Sequence, residues 1–155
     1  MNKNKSLSPT KVNAFMFFKL PSAWWSGVRL KQLNSTTAVS EVKHKWFNQN
    51  PFNSMYFAVQ AMAAELTTGA LVMQEIQKSG HKISMLVAEN QSFFHKKATG
   101  KIRFECHQGQ EVNQIIQKCI KSKDGEKLNL KSQGYNEKNE LVSHFQFVWT
   151  IKLKK

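Results

Sequence analysis

The chain is poor in the residues that carry most catalytic and recognition chemistry. Its single aspartate, Asp124, sits in a turn-forming Asp124-Gly125 pair, which removes Ser-His-Asp triads and aspartate-based metal sites. The five histidines, His44, His81, His95, His107 and His144, show neither HxH nor HExxH spacing, so no metal site is expected. No phosphate-cradling glycine-rich loop occurs among the 7 glycines, and no cofactor is indicated. The 2 cysteines, Cys106 and Cys119, have no metal spacing, no nucleophile motif and no disulfide framework, so a reducing, cytoplasmic setting is the expectation. Only Arg29 and Arg103 of the 23 basic residues are arginine. Base readout and bidentate phosphate clamps favour the planar guanidinium, so specific nucleic-acid binding is not indicated. No secretory leader is expected either, because residues 1–8 are polar and the Ala14–Phe18 apolar run is too short for a signal core.

What is present describes a folded domain with a strong field. The 155 residues are 41% hydrophobic and 11% aromatic, with 11 Phe and 4 Trp, enough for one proper core. The net charge of +13 draws anions: nucleic acid, a membrane surface or phosphorylated small molecules. Lysines are densest at Lys96-Lys97-Lys101, Lys118 to Lys131 and the Lys152-Lys154-Lys155 tail. Such lysines serve either as a solvated surface or as anion contacts, and composition leaves both open.

The chain is organised around Asn48 to Gly80. A polar, turn-prone entrance containing Pro51 leads into helix formers from Ser54 to Ser79, with Ser54 the expected N-cap and Gly80 the stop. At about 1.5 Å per residue this helix is roughly 38 Å long. From Met55 to Met73 almost every position is apolar, the pattern of a helix buried on most sides. Gln60 and Glu65 interrupt the run, and no stop-transfer flank follows, so no transmembrane segment is expected.

Residues 1–8 read as a disordered arm and residues 9–155 as a single domain. Ser8-Pro9-Thr10 starts a helix to about Leu20, which Pro21-Ser22 ends; Trp24-Trp25 then fall on a connector. Gly27 to Gln32 and Thr36 to Phe47 are expected to pair as strands, with Ala38, Val42 and Trp46 on one face. Further strands are expected over His81–Glu89, Thr99–His107, Leu128–Tyr135 and Leu141–Leu153, and an amphipathic helix over Gly109–Lys121. About six antiparallel strands with one long helix after the second predict an α+β domain, a curved sheet wrapped round a central helix.

Glu65 is the informative polar residue. At 100° per residue it shares a helix face with Ala58, Ala61, Met62, Thr68, Gly69 and Val72, mostly small side chains that leave room for a ligand or a close partner. Burial disfavours a charged carboxylate and prepares it for general acid–base work. The alternative is a structural role, with Glu65 paired to a lysine or emerging into water. One buried carboxylate, a polar pre-helix turn (Asn48, Gln49, Asn50, Asn53, Ser54) and lysines suit hydrolysis of an activated ester, with Glu65 as base and the helix N-terminal amides receiving the oxyanion.

Over roughly residues 27–153 this order of elements resembles the hotdog-fold thioesterase superfamily. In its phenylacetate-pathway branch, Asn is followed by Gly three residues later, by His-Gly-Gly at six to eight, and by an acid at fifteen. Laid on Asn50, that spacing places Asn53 at the Gly, Tyr56-Phe57-Ala58 at His-Gly-Gly and Glu65 at the acid. The stretch Phe94-His95-Lys96-Lys97-Ala98-Thr99-Gly100-Lys101 is similar to the aromatic–basic segment that enters the family's next strand. The match is nearest to a thioesterase-related branch of unknown function, in which Glu holds the acid position. Tyr-Phe-Ala is bulkier than His-Gly-Gly.

The resemblance implies a hotdog fold and hydrolysis of an acyl-coenzyme A or acyl-carrier thioester by water activated at Glu65. It implies a catalytic set of Glu65, Asn50, Tyr56 and Phe57 at a dimer interface, with a tetramer as the larger assembly left open. Asn53, Ser54, Ala58, Ala61, Thr68 and Gly69 would line the acyl site, and Lys96, Lys97 and Arg103 would meet the nucleotide phosphates. Two other classes stay open: a non-catalytic acyl- or lipid-binding module, and a nonspecific binder of nucleic acid or anionic surfaces driven by charge.

Overall fold

Alternation of apolar and polar residues builds the sheet. The computed structural model describes residues 7–154. It contains β1 (Arg29–Leu33), β2 (Ala38–Lys43), β3 (Ile83–Phe94), β4 (Lys101–Cys106), β5 (Glu126–Tyr135) and β6 (Leu141–Leu153). All pair antiparallel in one sheet of order β1-β2-β4-β5-β6-β3, which makes β1 and β3 its edges. The inward residues are those the alternation selects: Ile102, Phe104 and Cys106 on β4, and Phe145, Phe147, Trp149 and Ile151 on β6. The β5–β6 hairpin closes where Asn136 Oδ1 accepts the amides of Lys138 and Glu140 at 3.0 and 2.9 Å. β3 carries one extra residue between Val87 and Glu89, a bulge of the kind common on edge strands.

The long helix α3 (Phe57–Ser79) lies against this sheet and ends at Gly80, whose φ of 70° is the left-handed conformation that terminates helices. Its 23 residues span about 35 Å. Alanines at 63, 64 and 70 let its backbone approach the strands closely, and Val59, Leu66 and Leu71 fill the remaining space. Three buried serines of the sheet complete the contact. Ser40 of β2 donates to the Ala63 carbonyl at 2.6 Å, Ser132 of β5 meets the Thr67 hydroxyl at 2.9 Å, and Ser143 of β6 donates to Gln60 Oε1 at 2.8 Å. The polar groups of α3 at Ala63, Thr67 and Gln60 are therefore satisfied by the sheet itself. This is the expected α+β hotdog architecture.

The remaining helices close the ends. In α1 (Pro9–Lys19), Ser8 Oγ accepts the Lys11 amide and Val12 and Met16 are buried. Residues 1–6 of the expected N-terminal arm lie outside the described residues; Leu7 packs on the core. In α4 (Gly109–Ser122), Val112, Ile116 and Cys119 are buried, and Asn113 donates to Glu75 of α3 at 2.9 Å.

Four expectations are corrected. Pro21 opens a short helix, α2 (Pro21–Trp25), because proline suits a first helical turn, so the two tryptophans lie on a helix rather than a connector. β2 stops at Lys43: Trp46 belongs to a 3-10 turn (Trp46–Asn48) and is exposed, because Asn48 bonds back to Lys45 and bends the chain away. Ser54 does not cap α3, since its hydroxyl is held by Asn50; the cap position is Tyr56, which gives no side-chain bond. β3 runs on to Phe94, five residues past its expected end, because β6 continues opposite it.

The junction between α4 and the β1–β2 turn leaves no room for a side chain. Gly109 donates its amide to Thr36 at 3.0 Å, and a Cβ there would stand 2.1 Å from the Ser35 carbonyl oxygen. Gly109→Ala is expected to lower unfolding free energy by about 1–3 kcal/mol. A urea midpoint equal to wild type contradicts this packing.

Candidate functional site

The loop from β2 to α3 folds as a stapled ring. Asn48 is buried, and its side-chain amide donates to the carbonyls of Ser26 and Lys43, both at 2.9 Å, while its Oδ1 accepts the Lys45 amide at 2.8 Å. The Tyr56 amide returns to the Asn48 carbonyl at 2.9 Å, and the Met55 amide to Ala98 at 2.8 Å. Within the ring, Asn50 Oδ1 accepts from the Phe52 amide at 2.9 Å, and its Nδ2 lies 3.0 Å from Ser54 Oγ. Asn53 sits at φ 57°, the left-handed region that glycine enters most easily and asparagine tolerates. That is the residue the spacing from Asn50 aligns with a glycine.

The ring delivers α3 to a cleft. The amides of Val59 and Gln60 turn back onto the Tyr56 carbonyl, while those of Phe57 and Ala58 have no partner among the described residues. Unpaired first-turn amides present partial positive charge. Beside them opens a cleft of about 570 Å³ between the ring, the start of α3 and the segment from Phe94 to Ala98. Asn50, Ser54, Tyr56, Phe57, Lys96 and Lys97 of the expected site line it together. Tyr56, Phe57 and Phe94 form one aromatic wall, with ring centroids 4.9 and 6.4 Å apart in turn. Lys97 Nζ lies 3.3 Å from the Phe52 carbonyl, and Lys96 is paired to Glu140 at 2.6 Å.

Glu65 lies elsewhere. It stands nine residues beyond Tyr56, about 13 Å along the helix, and does not line the cleft of its own chain. It sits half-buried in a stripe with Ala58, Ala61 and Met62 that the sheet leaves partly uncovered. Gly69 and Trp149 floor this position: a Cβ on Gly69 would be 3.4 Å from both Glu65 Oε1 and the Trp149 ring. Thr68 is fully buried beneath, accepting from Trp149 Nε1 at 3.0 Å and donating to the Glu65 carbonyl at 3.0 Å. The Glu65 carboxyl has no hydrogen bond or ion pair among the described residues, and burial raises its pKa. Arg103 is also apart, bound to Glu105 on β4 and 3.4 Å from Asn139 Oδ1.

Two features of the site are not assigned to it by the sequence. Gln60 is buried in the wall of the cleft, held by Ser143 and donating to the Met55 carbonyl at 3.3 Å; its signal was a lone amide in an apolar run. His95 Nε2 and His144 Nδ1 lie 3.0 Å apart, with His144 stacked on Phe93, a pairing that needs the β3–β6 register. Burial, Lys131 and His95 hold the His144 pKa below its ordinary value. Burial pushes the Cys106 thiol up to about 11, so it is no nucleophile.

The Glu65 environment gives a signed pH dependence. A folded-state pKa raised above the ordinary 4.5 makes ionisation destabilising, so this contribution is lost as pH rises through the folded value. Glu65→Gln is expected to match wild type in melting temperature below that ordinary value and to exceed it at neutral pH. A variant less stable than wild type at neutral pH would mean the carboxylate has a cationic partner.

The model of the Domain of unknown function (DUF4442) matches residues 9–151. No curated protein matches the chain by sequence. Among solved structures, the chain is similar to a protein of unknown function from Pseudomonas aeruginosa described as a probable thioesterase, with TM-score 0.78 and 21% identity, over 96% of this chain and 99% of that one. It is similar to a Chlorobaculum tepidum protein of unknown function, with TM-score 0.81 and 18% identity over 96% and 99%. It is also similar to a thioesterase from Haemophilus influenzae, with TM-score 0.71 and 10% identity over 99% and 96%. At these identities the likeness is one of fold.

Proposed function

The chain belongs to the DUF4442 family, and on that premise we propose that it is a thioesterase that hydrolyses an acyl-coenzyme A or acyl-carrier thioester with water activated by Glu65. The observation that carries this reading is the half-buried Glu65 carboxyl, without a partner among the described residues, on the same helix whose first amides are free among those residues. A carboxylate of raised pKa takes a proton from water near neutrality, and the amides of Phe57 and Ala58 receive the charge that develops on the carbonyl oxygen. Water attacks the carbonyl carbon, the tetrahedral oxyanion collapses, and the thiolate leaves with the proton Glu65 has taken.

Glu65 lies about 12 Å along α3 from the Phe57 amide at the cleft and does not line that cleft in its own chain, so the reading requires a homodimer. Ala61 is the midpoint between Phe57 and Glu65. Two antiparallel α3 helices crossing at Ala61 set Glu65 of one protomer opposite the Phe57 amide of its partner. The small side chains of Ala58 and Ala61 favour such a close crossing. The long β3 edge, with Leu86 exposed, supports the same pairing. Asn50 acts through the loop it staples, as a positioning residue. The acyl chain then runs along the aromatic wall, past Tyr56 and Phe57, and the lysines at the cleft mouth meet the phosphates.

Glu65→Gln keeps the shape of the side chain and removes its basicity, so steady-state hydrolysis of acyl-coenzyme A thioesters is expected to fall about 10²–10⁴-fold. Equal rates in wild type and variant contradict the assignment, and acyl binding without turnover in both identifies a binding module. Lys96→Glu with Lys97→Glu is expected to raise KM and leave kcat nearly unchanged, the signature of uniform binding. An unchanged KM at low salt returns both lysines to the solvated surface.

A further inference from the structure

The largest exposed side chains of this protein are gathered at one end. In the antiparallel sheet, β1, β4 and β6 begin, and β2, β5 and β3 finish, at the end where α3 starts. The end of α2, just before β1, lies there too, tied to the β2–α3 ring by the Asn48 bond to Ser26. Apart from Phe15 and Leu86, the exposed large apolar residues among the described residues fall in the segment ends and loops that meet here. Phe18, Trp25, Trp46, Phe47 and Phe52 project from short turns and helix ends; Trp46 is 82% exposed, Phe18 75% and Phe52 72%. Single exposed apolar residues need no explanation, but a concentration of aromatics marks an interaction surface.

The charges around these tips identify the partner. Lys19, Lys43, Lys45 and Lys97 are exposed beside them. Glu41 is the only acidic residue among residues 1–64, and in the ladder it stands between Arg29 and Arg103. On the β5–β6 side of the same end, Glu140 is paired to Lys96, and the exposed Glu137 accepts from the Lys101 amide at 3.4 Å beside the Lys101 and Lys138 side chains. A second copy of the chain would bring the same cationic rim against this one, and the two would repel. Tryptophan and phenylalanine on protruding turns, ringed by long flexible lysines, fit the boundary between acyl chains and anionic headgroups: the rings enter the boundary layer and the ammonium groups stay at phosphate level. We propose that this end of the molecule docks on the surface of an anionic lipid bilayer through Phe18, Trp25, Trp46, Phe47 and Phe52, with the neighbouring lysines at the headgroups. Among the described residues no helix is long and apolar enough to cross a membrane, and the attachment proposed is to the bilayer surface. The docking stands independently of the thioesterase reading. Because the cleft opens at this end, lined by Phe52 and Lys97, the docked protein faces it toward the source of acyl chains.

The test uses the full chain with vesicles of phosphatidylcholine alone or mixed equally with phosphatidylglycerol. Sedimentation is expected to show strong binding only to the anionic vesicles, weakening as salt is raised. Brominated acyl chains are expected to quench tryptophan emission on binding, a readout that needs no variant. Phe18→Ser with Trp25→Ser and Trp46→Ser, all exposed changes, is expected to lower vesicle partition by about tenfold or more at unchanged melting temperature. The proposal fails if the protein ignores anionic vesicles at low salt, or if bromolipids leave the emission unchanged. It fails equally if the triple variant binds as well as wild type, if that variant changes oligomeric state, or if a single-stranded oligonucleotide displaces the protein from the vesicles.

Discussion

The close seating of α3 on the concave face of the sheet is the contact on which the other features depend. A helix approaches strands this nearly only where side chains are small, and Ala63, Ala64 and Ala70 supply that surface. Backbone and side-chain polar groups brought so close need partners, and Ser40, Ser132 and Ser143 from three strands provide them. With α3 held at that depth, its first turn is fixed against the stapled loop. Its opposite stripe, from Ala58 to Glu65, is left partly uncovered. The cleft and the carboxylate are both consequences of where the helix sits.

The same seating explains the electrostatics. Glu65 stands over Gly69 and the Trp149 ring, where burial reduces its contact with water and no cation among the described residues pairs with it, so its charged form is disfavoured. The free amides of Phe57 and Ala58 lie at the other end of the stripe, with partial positive charge concentrated at the helix start. A base of raised pKa and an anion-receptive helix end are complementary parts of acyl transfer, and a crossing at Ala61 is the simplest way to join them. The exposed aromatics and lysines at the same end give the molecule a second, separate use of its charge.

Much of the fold was legible in the sequence because burial follows period. The alternation in β4 and β6, the helical stripe of α4 and the uninterrupted helix formers of α3 each reflect one buried face, and each is found where its period placed it. Errors collected where a local signal competed with a tertiary contact. Ser54 has the chemistry of a cap, but Asn50 holds its hydroxyl; Trp46 continues an alternation that Asn48 ends. Of the residues expected at the candidate site, Asn50, Ser54, Tyr56, Phe57, Lys96 and Lys97 line one cleft, and Asn53, aligned with a glycine, has a left-handed backbone. The division of the site was not legible, because helix distance separates Glu65 from the cleft only once α3 and the ring are placed in space. Gln60 stands out in the sequence as an interruption of an apolar run, but its place in the site does not, because its partner, Ser143, lies 83 residues away on β6.

The central claim, that water activated by Glu65 cleaves an acyl thioester, is tested most directly by a single turnover in oxygen-18 water with protein in excess over acyl-coenzyme A. Attack by water puts one heavy oxygen into the released carboxylic acid and none into the protein, as detected by mass spectrometry of the acid and of the peptide containing Glu65. Heavy oxygen in the Glu65 peptide would contradict the account by revealing a covalent acyl–carboxylate intermediate, and failure to release any thiol would contradict it outright.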